Sequence, residues 1–544
     1  MLRDINALKS EAFDVLVIGG GIYGSWMAYQ AAIAGLKVAV VDKSDWGSAT
    51  SSASSKLLHG GLRYLERFEL GLVRKSLRER RELNHILPHH VRPLRFLLPV
   101  YRHSRVGRFR LKLGLWLYDR LAGKNQPVGP HQQFTATAMT DLEPALLADD
   151  LLGGFSYGDC GTDDARMVLE IVDSAISAGA AACSYVKAER LLLANRRVVG
   201  AHLKDLETGS AFDVRASIVV NAAGPWIEQQ LDTIPDSTTV HGRTGHDTAR
   251  LTRLTRGVHL VMPALQSGQA VLLTAKADGR VFFLIPWYGR TLLGTTDTDF
   301  HGDPGTVKVE DDDVDYLLSA ANDYLRTPWT TEDIHAAFAG LRTLQADPGR
   351  TASSVSREWC FEESCPGLMT SVGGKLTSAR VDAIEAVNTI LKSLHRSPLH
   401  DSSPPRMAWC PESPFPRWLD QMCDDATAVG IDRDTAATCA RRYGAKMSDI
   451  IALVKATPGL SQRIVSDLPF CRAEIIHAVN HEMARTMLDV LRRRIPLLVL
   501  TRLQRNTIQD VCDLVADILN WDGDRRDREI ASVLAADRPH RLTE

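Results

Sequence analysis

The segment AFDVLVIGGGIYGSWMAYQAAIAGLKVAVVDK, residues 12–43, constrains the fold more than any other part of the chain. A β-rich run from Val15 to Ile18 meets a glycine turn. An alanine-rich helical stretch follows, and a second β run, Val38 to Val41, closes on Asp42 and Lys43. This is a βαβ unit of an α/β fold. Gly19, Gly21 and Gly24 form G-x-G-x-x-G: the first allows a tight turn, the second lets backbone approach a pyrophosphate, and the third lets helix and strand pack closely. Ile22 and Tyr23 open the helix, whose N-terminal N–H groups and partial positive charge would face phosphates. Asp42 would bond ribose hydroxyls. The pattern alone leaves NAD and FAD both open. Val15 to Leu36 carries no charge and is long enough for a membrane span, but its glycines argue for the turn.

At 544 residues the chain is expected to form two or three domains. A formal charge of −2 excludes a nucleic-acid binder defined by global basicity, so any anion site must be local. The nine cysteines lack the paired spacing of a zinc or redox site, and no metal is expected. The N-terminus shows no basic head and cleavage site, so a cytoplasmic protein is expected.

Directly after the second strand comes SATSSASSKLLHGGLRYLE, residues 48–66. Composition alone reads it as a flexible linker. Its position along a bound dinucleotide favours an ordered strap, whose small hydroxyl residues allow close approach. With this run, FSYGDCGTDDARMVLE (155–170), VVNAAGPW (219–226), RGVHLVMP (256–263), VFFLIPWYGRTLLGTTDTDFHGDP (281–304), GLRTL (340–344), SREW (356–359) and SVGGKLTSAR (371–380) form an ordered series. The series resembles the FAD-dependent, quinone-linked glycerol-3-phosphate dehydrogenases, a branch of the flavin oxidoreductases that include D-amino-acid oxidase.

The resemblance implies a Rossmann-like FAD-binding domain of the glutathione reductase/D-amino-acid oxidase type, an α+β substrate cap and a C-terminal all-helical domain. The expected pieces are 1–85, 150–226 and 345–398 for FAD, 86–149 and 227–344 for the cap, and 399–544 for the helical domain. It implies cofactor contacts from Gly19, Gly21, Ile22, Tyr23, Gly24, Asp42 and Lys43, and from Thr50, Ser51, Ser54, Ser55, Lys56 and Leu57 in the strap. Ala222 and Gly224, then Gly373, Gly374, Lys375, Leu376 and Thr377, would complete the FAD site.

The implied reaction is oxidation of glycerol 3-phosphate to dihydroxyacetone phosphate by hydride transfer from C2 to FAD, with electrons passed to a membrane quinone. Such a substrate needs clustered cations, which Arg63, Arg342, Arg357 and Lys375 would provide beside Tyr64 and His259. His59 is the candidate base, Arg342 would stabilise developing negative charge, and His259 is a further candidate. Three alternatives stand beside this reading: an oxidase using O2, a flavin oxidase of another small anionic substrate, and a non-catalytic flavin-binding module. The chain departs from the family at Trp359, where tyrosine or histidine is usual, and at Ser378 and Ala379, where threonine and tyrosine are usual.

Residues 92–124 hold nine Arg or Lys and one acid, interleaved with Leu, Phe and Trp. Two readings compete: a peripheral surface for anionic lipid on the cytoplasmic face of the inner membrane, and a helical hairpin of the cap with a solvated face. Five prolines between 404 and 416 place a boundary near 400. In the helical region beyond, His477 and His481 lie at i, i+4 with Glu482 expected on another face. They read as packing histidines, and Arg492 to Arg494 as a solvated cluster.

Overall fold

The protein is described from a computed structural model covering residues 1–9, 12–234, 250–346, 358–399, 406–412 and 414–536. The glycine turn lies where the sequence puts it. Phe13–Ile18 leads through it into the helix Ile22–Ile33, and the chain returns as Val38–Val41, parallel to the first strand with Val15 opposite Val38. In sheet order, Trp359–Cys365, Leu368–Gly373, Ala211–Asn221, Phe13–Ile18, Val38–Val41 and Ala181–Cys183 lie side by side. The central strands read as continuous apolar runs because both their faces are covered. Val15 and Val17 pack under Ile22–Ile33, Asp164–Ser177 and Ala379–Ser393; Leu16 and Ile18 face the other way, toward Val186–Ala194, Arg197–Asp205 and Ile227–Leu231. Ala211–Asn221 serves two partners, its first half antiparallel to Arg197–Asp205 and its second half parallel to Phe13–Ile18 and Leu368–Gly373.

A second, ten-stranded sheet forms the cap. Thr252–Pro263 runs between Ala336–Gln345 and Arg290–Gly294, with Val258 and Leu260 fully buried. Leu151–Gly161, expected within an FAD piece, hydrogen-bonds into this cap sheet beside Arg92–Tyr101. The strap ends there too, its Leu57–Leu58 pairing with Gly161 and Cys160. The strap therefore joins the two sheets.

The helical-hairpin reading of 92–124 is corrected. Arg92–Tyr101 is an interior strand, antiparallel to Leu151–Gly161 and parallel to Ala270–Thr274; only Arg108–Ala122 is helical. Phe96 and Leu97 are fully buried there, so the apolar content belongs to a sheet core. The C-terminal region is helical from Phe415–Ala428 to Gly523–Ala536, as expected. Among the described residues no helix is long and apolar enough to cross a membrane. All nine cysteines are free, seven of them buried.

Candidate active site

Close packing makes the glycine turn a cradle. Gly19 has φ +111°, and a Cβ there would lie 2.4 Å from the Ala222 carbonyl oxygen; at Gly24 it would lie 1.8 Å from the Gly19 oxygen. Gly21 is the extended N-cap residue of Ile22–Ile33, and the Ile22 N–H donates to Ser51 Oγ at 2.9 Å. Asp42 accepts from the Gly20 and Ser44 N–H groups at 2.7 and 2.8 Å. Burial pushes its carboxyl up to about 6 against the pull of those two bonds. Gly224 has φ +54°, and Lys43 Nζ sits 3.7 Å from the centroid of the Trp226 ring.

Tyr23 joins this turn to the second glycine piece. Its hydroxyl donates to Asp382 at 2.7 Å and accepts from the Lys375 N–H at 2.9 Å. Gly374 has φ +97°, and a Cβ on it would meet that hydroxyl at 1.9 Å. Two segments some 350 residues apart thus form one cleft whose walls no larger residue would allow. Paired glycine turns with a half-buried acid at the end of the second strand fit a dinucleotide cofactor.

The strap is ordered, and its hydroxyls serve the protein. Thr50 Oγ1 donates to the Leu341 carbonyl at 2.6 Å, Ser54 Oγ to Asp164 at 2.6 Å, and Ser55 Oγ lies 2.9 Å from His259 Nε2. Lys56 donates to Asp164 Oδ1 and the Ser52 carbonyl, both at 2.6 Å, and Leu57 is buried. A backbone crossing between two sheets out of water needs such partners. Each of Thr50, Ser51, Ser54, Ser55 and Lys56, expected at the cofactor, also makes a bond within the protein.

Beyond the strap, the His59 N–H donates to Thr377 Oγ1 at 3.1 Å and the His59 side chain is half-buried. Gly60 N–H is held by Asp159 at 3.0 Å, and Asp159 by Arg80 at 2.6 Å. Lys375 Nζ lies 3.8 Å from the centroid of the Tyr64 ring, and Arg63 is exposed nearby in sequence. His59, Tyr64, Lys375, Leu376 and Thr377 are thus brought to one place. On the cap side, Arg342 donates to Thr295 Oγ1 at 2.9 Å and Asp297 at 3.3 Å, lying over Gly257. His259 is 2% exposed and stacks on Phe338 at 5.0 Å. Burial, then Arg342 and Lys56, hold its imidazole down at about 3. Arg357 lies outside the described residues.

The departures from the family pattern are absorbed locally. Trp359 stacks on Tyr23 at 6.2 Å and donates to Ser371. Ser378 Oγ donates to Asp382 at 2.8 Å, and Ala379 is buried. Sequence reasoning missed Asp164, Asp382 and Asp297, each an acid that fixes an expected site residue or its neighbour. Asp164 opens a helix behind the N-cap Asp163, and Asp382 lies one turn beyond Ser378, so helix spacing was their signal. A cavity of about 520 Å³ beside this cleft is lined by Lys75, Glu358, Trp359, Phe361, Asp382 and Glu385, too acidic a wall for a phosphate dianion.

Comparison with known proteins agrees with this geometry. Residues 14–380 match the family described as FAD dependent oxidoreductase, and residues 416–526 match the C-terminal domain of alpha-glycerophosphate oxidase. A glycerol-3-phosphate dehydrogenase of Synechocystis sp. is 33% identical over 97% of each chain. An aerobic glycerol-3-phosphate dehydrogenase of Staphylococcus epidermidis is 32% identical over 94% of this chain and 92% of its own. The FAD complex of glycerol-3-phosphate dehydrogenase from Bacillus halodurans superposes with a TM-score of 0.79 at 27% identity, covering 99% of this chain and 98% of that one. An L-alpha-glycerophosphate oxidase of Mycoplasma pneumoniae, 16% identical with a TM-score of 0.53 over 70% of this chain and 95% of its own, shares the fold. With the cradle, the second glycine turn and full-length likeness in agreement, the chain belongs to the FAD-dependent oxidoreductases and, within them, to the glycerol-3-phosphate dehydrogenase family.

Proposed function

We propose that the protein oxidises sn-glycerol 3-phosphate at C2 to dihydroxyacetone phosphate and delivers the electrons to a membrane quinone. The observation that carries the substrate is the full-length likeness to glycerol-3-phosphate dehydrogenases, with Lys375 held over Tyr64 beside the cofactor cleft. FAD, when bound, supplies the acceptor for the hydride that leaves C2. Lys375, with exposed Arg63 and with Arg357 from its family motif, would bind the phosphate dianion. Arg342, oriented by Thr295 and Asp297, would offset the charge that grows on the C2 oxygen.

The proton of that hydroxyl passes to His59 in this reading. His59 is half-buried and hence reachable, and its backbone is fixed by Thr377. His259 is enclosed between Ser55 and Phe338 and is a weak base, so its part is to hold the strap in place. Ser54 and Lys56, tied to Asp164, hold the strap against the helix Asp164–Ser177 of the cofactor domain.

The quinone reading draws on an exposed apolar patch. Of the eight large hydrophobic side chains most exposed among the described residues, Phe68, Leu70, Phe109, Leu113 and Trp116 lie on or beside Leu62–Arg67, Leu70–Ile86 and Arg108–Ala122, which pack together. Exposed Arg105, Arg108, Arg110 and Lys112 border them. This suits shallow insertion at an anionic lipid surface. The C-terminal match to an oxidase family favours a second reading, with O2 as acceptor. Anaerobic mixing with glycerol 3-phosphate tests the substrate: flavin absorbance should bleach within seconds, and bleaching only by an amino or hydroxy acid would overturn it. Stoichiometric hydrogen peroxide during aerobic turnover would favour the oxidase.

A further inference from the structure

Arg493 and Arg494, expected in a solvated cluster, are buried at 7% and 0% exposure, and their partner is 448 residues away in the cofactor domain. Arg494 donates through both terminal nitrogens to Asp45, at 2.6 and 2.8 Å, and through one of them to the Glu482 carbonyl at 2.6 Å. Arg493 donates to Asp45 through Nε and to Asp489 at 2.5 Å. Tyr185 adds a bond to Asp489 at 2.7 Å, and its own N–H donates to the Ser44 carbonyl at 3.2 Å.

Asp45 is the middle of a short loop that carries the dinucleotide machinery at both ends. At one end, Asp42 holds the Gly20 N–H. At the other, the Gly47 N–H donates to the Gly20 carbonyl at 3.0 Å, and between them the fully buried Trp46 ring fills the space where a Cβ on Gly20 would lie 2.2 Å away. Gly20 sits inside the G-x-G-x-x-G turn. The loop 42–47 is therefore bonded directly to the phosphate-binding turn, and the two arginines bond it to the C-terminal helices.

A buried carboxylate held by two guanidinium groups does not loosen gradually, since separating either partner leaves an uncompensated charge out of water. The ion cluster is engaged as a unit or broken as a unit. Whatever fixes Asp42 and Gly20 then favours the docked helices, and docked helices favour the bound geometry of Asp42 and Gly20, by the reciprocity that linkage requires.

We propose that the C-terminal helical domain is a cofactor-retention clamp, in which Arg493 and Arg494 are positioning residues that hold Asp45 and, through it, the FAD-binding turn. The clamp rests on FAD binding and is independent of the substrate and of the electron acceptor.

The test measures FAD itself. Apoprotein of wild type, Asp45→Asn, Arg494→Gln and Arg494→Lys is titrated with FAD, following quenching of flavin fluorescence, and release is timed after dilution. The clamp requires Kd and release rate to rise at least tenfold in Asp45→Asn and Arg494→Gln, and less in Arg494→Lys, which keeps the charge and loses the fork. KM for glycerol 3-phosphate at saturating FAD should stay within twofold. Folded variants whose FAD Kd stays within twofold of wild type would overturn it. Should the variants fail to fold, amide exchange of the wild type decides. FAD should slow exchange in residues 489–494 together with 42–47, and protection confined to 42–47 would equally overturn the clamp. Failure of glycerol 3-phosphate to bleach the flavin would leave all of these readouts intact.

Discussion

Lys56 donates to Asp164 over 2.6 Å with its side chain 2% exposed and that of the acid fully buried. The pair ties the strap to the helix Asp164–Ser177, with Ser54 completing the coordination of the carboxylate. Burial raises the Asp164 carboxyl and Lys56 counters it. Removing one partner strands the other, so Lys56→Met should lower stability by about 3–5 kcal/mol. Lys56→Met combined with Asp164→Leu should recover most of that. Urea unfolding of the single and double variants checks it, and equal losses in both would show that the ion pair is not what anchors the strap.

His59→Gln should lower kcat by about 10²–10⁴-fold if this imidazole takes the C2 hydroxyl proton. His259→Gln should cost kcat at least ten times less, because its ring is closed in by Ser55 and Phe338. Steady-state kinetics at saturating substrate gives the ratio; the reverse order would transfer the proton-accepting role to His259.

Lys375→Met removes a cation held over Tyr64. A charged hydrogen bond of about 1.5–3 kcal/mol to phosphate corresponds to roughly a 10–150-fold rise in KM, with kcat changed much less. A drop in kcat at unchanged KM would place Lys375 at the reacting carbon.

The buried His259 makes stability pH-dependent. Its folded value, about 3, lies below the ordinary value of 6.5, so the unfolded chain binds the extra proton between these limits. Its contribution is complete above pH 6.5 and is lost as pH falls toward 3, at up to about 1.4 kcal/mol per pH unit. Denaturant midpoints from pH 7 to 4 should fall less steeply in His259→Gln. Parallel slopes would mean that the imidazole is protonated in the native protein.

Phe109→Ser with Trp116→Ser should abolish binding to vesicles of anionic phospholipid while leaving turnover with a soluble dye acceptor unchanged. Charge reversal at Arg108 and Arg110 should weaken binding most at low salt. Retained flotation with vesicles in both variants would exclude this patch as the lipid surface.

The βαβ unit was legible because its signals are local: β-rich runs, a glycine turn and a terminal acid within about thirty residues. The second glycine turn and the helical C-terminus were legible for the same reason. The interior strand Arg92–Tyr101 was not, because its arginines suggested a solvated helix while its pairing partners lie 50 to 180 residues onward. Glu482 was expected apart from His477, yet the helix ends at His481 and the chain turns back to bring the two within 3.6 Å. Helical spacing stops applying where the helix stops.

The sequence by itself determined the cofactor-binding architecture and the family, because glycine at a crowded turn and motif order leave few other solutions. Only the tertiary structure decided what the strap's hydroxyls bond, which histidine is reachable, and that Arg493 and Arg494 reach Asp45. The physical reason is common to all three. A hydroxyl, an imidazole or a guanidinium is equally at home in water or in a partner's grasp, and which it receives depends on residues hundreds of positions away.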